Sequence, residues 1–237
     1  MPVLLLARGD QESKTLLRHA IEARYGMSPQ AIDTLKLEVK GRTRLKIGPV
    51  ATWIPLDGIA YFKFPFSVRW NFTTHPIGVL RGGGEEAFDG AVCRKRKGKE
   101  VTVIKDIEPM KSTHARLWAM SALLLMPLSE HFVELHVIGD NTLDATHVVQ
   151  GITARLRLHD DHTVDSASTE CVNPATKKVQ SFTLRLSEGQ KEVGGLMLPS
   201  KIGVWWDEQP EMEVSPLSAE INPLVDEGVF RLETSSL

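Results

Sequence analysis

The sequence predicts a mainly β protein with a few helices, an α+β chain built on a curved antiparallel sheet. Three observations carry that prediction. From Thr34 onward, apolar and polar residues alternate with a period of two through segment after segment, as on strands with one covered and one wet face. Turn-forming residues punctuate these segments at short intervals. Only two stretches, Ser13 to Tyr25 and Thr113 to Met126, group their apolar residues in the helical manner.

Composition bounds the rest. The chain has 237 residues, 28 Lys+Arg against 30 Asp+Glu, 42% hydrophobic and 24% charged residues. That describes a globular protein with a real core, read as a single domain over 1–237 with its core at about 13–233. Disordered, collagenous and disulfide-scaffold classes are excluded. A net charge of -2 argues against binding to nucleic acid or to an anionic membrane, which both need a large positive field. Cys93 and Cys171 are too few for a disulfide framework or a cysteine zinc site, and whether they pair is left open. The longest apolar run, Leu117 to Leu128, is shorter than the roughly 20 residues of a membrane span, so no integral membrane segment is expected. The opening Met1 to Arg8 lacks the basic start of a signal peptide and reads as a short buried segment.

The first helix has Ser13 as its cap, a one-sided stripe of Leu17, Ala20 and Ile21, and Gly26 to stop it. Arg18, Glu22 and Arg24 fall on its other faces. Leu35, Leu37 and Val39 then alternate with lysine and glutamate. Strands follow at Arg44 to Ile47, Val50 to Ile54 and Ile59 to Phe64, divided by Gly48-Pro49 and Leu56-Asp57-Gly58. Phe62, Phe64, Phe66, Val68, Trp70 and Phe72 share one parity and put an aromatic row on one face, with Pro65 dividing or bending it. Gly82 to Gly84 reads as a loop, and Glu85 to Cys93 with Val101 to Ile104 as a hairpin joined through Lys97-Gly98-Lys99. The second helix, capped by Ser112 or Thr113 and ended by Pro127, is apolar nearly all round, which marks it as buried or as the cover of an apolar cavity. Alternation returns at His131 to Val137, Ile152 to Leu158 and Phe182 to Leu186, and strands at Leu196 to Trp206 and Met212 to Ile221 complete the series.

Several clusters resemble chemistry without its geometry. Gly82-Gly83-Gly84 lacks the strand, lysine and helix of a phosphate loop. Arg94 to Lys97 reads as a solvated hairpin tip. His131, Glu134 and His136 have the wrong spacing for a helical zinc site, and on a strand they face opposite sides. His159-Asp160-Asp161-His162 reads as a turn before the polar Thr163 to Thr169 stretch. No nucleophile elbow occurs. Catalysis, a cofactor and a metal therefore have no positive support.

The order of elements resembles the superfamily of lipoprotein carriers and lipid-binding lipoproteins that includes LolA, LolB, the LppX type and the sensor domains of MucB/RseB. Four features carry the resemblance. They are the helix preceding Leu35 to Val39; Lys63-Phe64-Pro65-Phe66-Ser67-Val68-Arg69-Trp70; Phe88-Asp89-Gly90-Ala91-Val92 with its hairpin and helix; and Gly195 to Ser200 followed by Ile221-Asn222-Pro223 and Val229-Phe230. The resemblance implies an unclosed half-barrel of about eleven antiparallel strands with helices covering its concave face. It implies a location in the cell envelope or periplasm, while the missing signal peptide leaves the cytoplasm open. It also implies a non-enzymatic protein that binds a lipid or apolar small molecule. The expected wall is Phe62, Phe64, Phe66 and Trp70, and the expected lid Trp118 and Leu124. The chain departs from LolA in having Phe64 where that protein carries a lid-locking arginine, and no lipobox cysteine stands near its start. A sensor or protein-interaction module with a filled interior is the alternative, and a hydrolase using His159 to His162 the third reading.

Overall fold

The computed structural model describes residues 5–27, 31–47, 50–75 and 82–233. The chain opens with α1 (Gln11–Tyr25), β1 (Thr34–Ile47), β2 (Val50–Lys63), β3 (Ser67–Thr74), β4 (Gly82–Phe88), β5 (Cys93–Lys97) and β6 (Glu100–Ile104). After α2 (Ile107–Leu123) and a 3-10 turn at Met126–Ser129 come β7 (Val133–Gly139), β8 (Thr142–His147), β9 (Ile152–Leu158) and β10 (Val164–Val172). Three long strands, β11 (Val179–Val193), β12 (Leu196–Trp206) and β13 (Gln209–Ile221), precede the short α3 (Glu227–Phe230).

All thirteen strands form one antiparallel sheet in the order β6-β5-β4-β3-β2-β1-β13-β12-β11-β10-β9-β8-β7. The sheet is not closed: β6 and β7 are its edges, and the whole is an open, half-barrel-like arrangement. The β7 edge is covered by the N-terminal segment, where Arg8 N donates to Val133 O (2.8 Å) and Leu135 N to Arg8 O (2.9 Å). Of the expected buried segment, residues 1–4 lie outside the described residues; in the rest Ala7 is buried and Leu6 exposed, and it covers the sheet edge.

The first helix starts two residues before the expected cap. Asp10 is the N-cap and accepts from Ser13 N (2.8 Å), and Gly26 closes the helix at φ 71°. Leu17, Ala20 and Ile21 are buried as expected, and Arg24 is buried with them, against the expectation for its face. The second helix runs from Ile107 rather than Thr113, because Pro109 is tolerated in a first turn where no intrahelical donor is needed. It ends at Leu123, three residues before Met126.

Two expected breaks are absent. β1 is continuous from Thr34, and β2 is continuous through Asp57-Gly58, which is no turn at all. The two strands pair over their whole length, from Thr34 opposite Lys63 to Ile47 opposite Val50. Gly48-Pro49, where a turn is expected, lies outside the described residues. The Gly82 to Gly84 run is strand, paired with Phe72 to Thr74. The basic run is strand β5 rather than a free tip: Arg94 meets Asp89 (2.5 Å), Lys95 meets Glu86 (2.6 Å) and Arg96 meets Glu85 (3.0 Å). Part of the polar Thr163 to Thr169 stretch also belongs to a strand, β10, which turns the small side chains of Ala167, Thr169 and Cys171 inward.

Helices α1 and α2 lie on the face lined by Leu35, Leu135, Ala145, Leu156, Leu184 and Leu198, and complete its apolar core. The C-terminal segment packs on the opposite face of β3 to β5. There Arg69 lies under it, ion-paired to Glu85 (2.9 Å) and donating to Val229 O (3.3 Å), while Arg96 donates to Leu232 O.

Candidate apolar ligand site

The aromatic row becomes a hairpin. Its turn holds Phe64, Pro65 and Phe66, with a cis bond before the proline, and β2 and β3 run back from it with Phe62 opposite Val68 and Ala60 opposite Trp70. All of these therefore point to the same face, the one under the helices. Phe62 and Phe64 stack in parallel at 5.5 Å, and Trp70 stacks on Phe72 at 6.4 Å. Trp70 lies flat over Gly58: a Cβ there would stand 2.4 Å from its ring, which explains the glycine inside a strand.

Phe62, Phe64, Trp70 and Leu124 share one cluster with Leu35, Leu117, Leu196 and Leu198. Leu124 directly follows α2 and is buried. Trp118 belongs to the neighbouring cluster, 2% exposed, with its Nε1 donating to Ala145 O (2.8 Å). Phe66 completes the set from the far side of the proline. It meets His114 of α2 at 6.2 Å, His147 of β8 at 5.2 Å and Phe132 at 6.5 Å. Trp118 also meets His147, at 5.2 Å, so Phe66 of the expected wall and Trp118 of the expected lid come together on one imidazole.

His147, His114 and Phe132 are absent from the sequence reading. Each is isolated among strand or helix residues, and only the fold assembles them. His147 is 3% exposed, and among the described residues neither of its ring nitrogens has a hydrogen-bond partner; Nε2 of His114 has none there either. Burial pushes the pKa of both imidazoles down. They sit in the site as neutral rings among aromatic ones.

At the other end of α2, the two helices are tied together through backbone carbonyls. Arg24 donates to Leu123 O and the Tyr25 hydroxyl to Leu124 O (2.8 Å). These are carbonyls that the end of an α-helix leaves unpaired, and a cation there also suits the helix dipole. Apart from Trp118, α2 meets the sheet by a polar side-chain bond at Ser112, whose Oγ donates to Val172 O (2.6 Å). The rest of its buried side is largely apolar, with the imidazole of His114 set among the rings of Phe66 and Phe88.

Two grooves open to solvent elsewhere. One of about 630 Å³ runs past Glu38, Ile59, Asn71 and Glu85 on the outer side of β1 to β4, and one of about 610 Å³ lies where the start of α2 meets β9 and β10. Neither is lined by the six wall and lid residues. Of those residues Phe62, Trp118 and Leu124 are buried in the core, while Phe64, Phe66 and Trp70 are half-buried.

The clusters read as non-catalytic remain dispersed. His159 to His162 form a turn, with His159 N donating to Thr163 O (2.8 Å) and Asp161 accepting from Thr163 N (3.0 Å). His131 precedes β7, and Glu134 and His136 meet each other at the surface (3.5 Å). No group of three metal-ligating side chains forms among the described residues. Cys93 and Cys171 are free, and burial raises both thiol pKa values, which suppresses the reactive thiolate.

This architecture, a half-open antiparallel sheet with helices over its apolar face, is the LolA-like fold. The chain is similar over 92% of its length to a LolA superfamily protein from Nitrosomonas europaea, with 13% identity, 96% of that protein covered and a TM-score of 0.54. It is also similar to a Vibrio parahaemolyticus domain described as outer membrane lipoprotein-sorting, at 8% identity over 94% of this chain and 97% of that one, with a TM-score of 0.51. No protein-family model matches the sequence, and no curated protein does.

Proposed function

We propose that the chain is a non-enzymatic carrier of the cell envelope that holds a lipid or other apolar ligand between the β2–β3 hairpin and α2. One observation carries this reading. The apolar face of a thirteen-stranded sheet is covered by helices held with few polar bonds, rather than by a second sheet. A helix seated mainly on apolar contacts exchanges them for an apolar ligand at little cost, since burial is non-directional and worth about 25 cal/mol per Å² on either partner. Phe62, Phe64, Phe66 and Trp70 form the wall, and Trp118 and Leu124 the lid. The two structural relatives support the class of cargo by their fold.

The packing of Phe62, Trp118 and Leu124 into the core favours a second reading, a sensor or interaction module whose interior is permanently filled. Uptake of an environment-sensitive apolar dye separates the two. The carrier reading expects saturable uptake, competed by a lipid extract and lost in Phe64→Asp, a half-buried position where the charge is tolerated in the folded chain but not beneath a ligand. No uptake by a folded wild-type protein favours the filled module.

A further inference from the structure

The end of α1 holds a cation buried without a counter-ion. Arg24 is 4% exposed, and among the described residues its charge is favoured by the Tyr25 phenol and the Leu123 carbonyl, with no carboxylate beside it. Its Nη1 is anchored on the Leu123 carbonyl, which fixes the guanidinium plane. Among the described residues, Nε and Nη2 have no hydrogen-bond partner. Those two nitrogens are one edge of the guanidinium, the edge that receives two oxygens of a carboxylate or phosphate side by side. A buried cation without an anion is strongly unfavourable, and burial correspondingly lowers the pKa of Arg24.

The surroundings bring the Arg24 guanidinium near the proposed ligand site, since its anchor Leu123 precedes Leu124. Tyr25 packs against both apolar clusters, the one holding Trp118 and the one holding Phe62, Phe64 and Leu124. Its hydroxyl is bonded to Leu124 itself. An anion on Arg24 therefore lies where an apolar chain running along Phe62 and Phe64 would end.

We propose that Arg24 receives an anionic head group, and that the ligand is an amphiphile with a carboxylate or phosphate at one end and a hydrocarbon chain at the other. This rests on the carrier reading, from which it takes the chain, while the anion contact stands on Arg24 alone. The guanidinium neutralises the head through a bidentate pair at Nε and Nη2. Hairpin and α2 enclose the tail.

The test compares dodecanoate, its methyl ester and inorganic phosphate on the full chain. The readouts are affinity and the NMR signal of the Arg24 Nε–H. Dodecanoate is expected to bind at least about tenfold tighter than the ester and to move the Arg24 signal, whereas phosphate at the same concentration leaves it in place. In Arg24→Met the acid and ester should bind alike. Should that variant not fold, the wild-type signal still decides. Equal binding of acid and ester with an unmoved signal overturns the head-group assignment and leaves the carrier reading standing. If neither amphiphile binds, the carrier reading fails, and phosphate raised to a far higher concentration judges Arg24 alone. A moved signal then supports the anion contact without its chain, and an unmoved one overturns it.

Discussion

The ring of Phe66, at the turn of the β2–β3 hairpin, rests on that of His147, at the end of β8, with 5.2 Å between their centres. The hairpin lies towards one edge of the thirteen-stranded sheet and β8 is next to the other. Their contact thus draws the two sides of the open sheet together over α2. Phe132 and Trp118 close the same ring from two further directions, at 4.7 and 5.2 Å.

That arrangement makes the fold acid-sensitive. Burial holds the pKa of His147 and His114 below the ordinary 6.5, so the folded state prefers both rings neutral while the unfolded chain takes up protons more readily. The stability they allow is complete above pH about 6.5 and is lost as pH falls through their lowered folded values. Urea midpoints measured at stepped pH should fall across that window in the wild type. His147→Phe, which fills the same aromatic box without a proton site, should remove the His147 share of the fall and leave that of His114. A parallel fall in both proteins assigns the acid sensitivity to other groups.

Gly58 and Trp70 are coupled across the hairpin. Gly58→Ala puts a methyl group 2.4 Å from the indole and is expected to cost about 1–3 kcal/mol as Trp70 is displaced from the wall. In Trp70→Ala the same change should cost much less. A double-mutant cycle by chemical denaturation measures the difference, which should exceed about 1 kcal/mol.

Trp118 is tested by two substitutions of different depth. Trp118→Phe keeps most of the buried ring but loses the bond to Ala145 O, and is expected to cost about 1–2 kcal/mol. Trp118→Ala empties the seat beneath α2 and is expected to cost about 3–5 kcal/mol. Equal losses would place the stabilisation in the hydrogen bond rather than in packing.

On the outer face, Glu85 neutralises two arginines that hold the C-terminal segment, Arg69 and Arg96. Arg69 is almost wholly buried, so Glu85→Ala removes a carboxylate from a buried cation that keeps its bonds to Asn71 and Val229. A loss of about 3–5 kcal/mol is expected. Limited proteolysis should show earlier cleavage near Val229 to Glu233 than in the wild type.

How far the sequence shows these features depends on the range over which their cause acts. The aromatic row and the helix over Ser13 to Tyr25 are legible because parity and helical spacing are local. Pro65 divides the row where the hairpin turns. The continuity of β2 is hidden, since Asp57-Gly58 has the composition of a turn, while its glycine answers to Trp70 across the ladder. The basic run looks solvated because Glu85 and Glu86, its partners, meet it only once β4 and β5 pair. Arg24 looks exposed from helical spacing alone, and the carbonyl that anchors it lies 99 residues further along. His147 has no local signal at all. Its environment is assembled from a hairpin turn, a helix and the residue before β7.

The most direct test of the carrier reading is native mass spectrometry of the gently purified full chain, followed by organic extraction of what it releases. The expected result is a mass increment of lipid size that disappears on extraction and is missing from folded Phe64→Asp. An unliganded mass, unchanged after incubation with a lipid extract, would contradict it and leave a sheet whose helices permanently fill its apolar face.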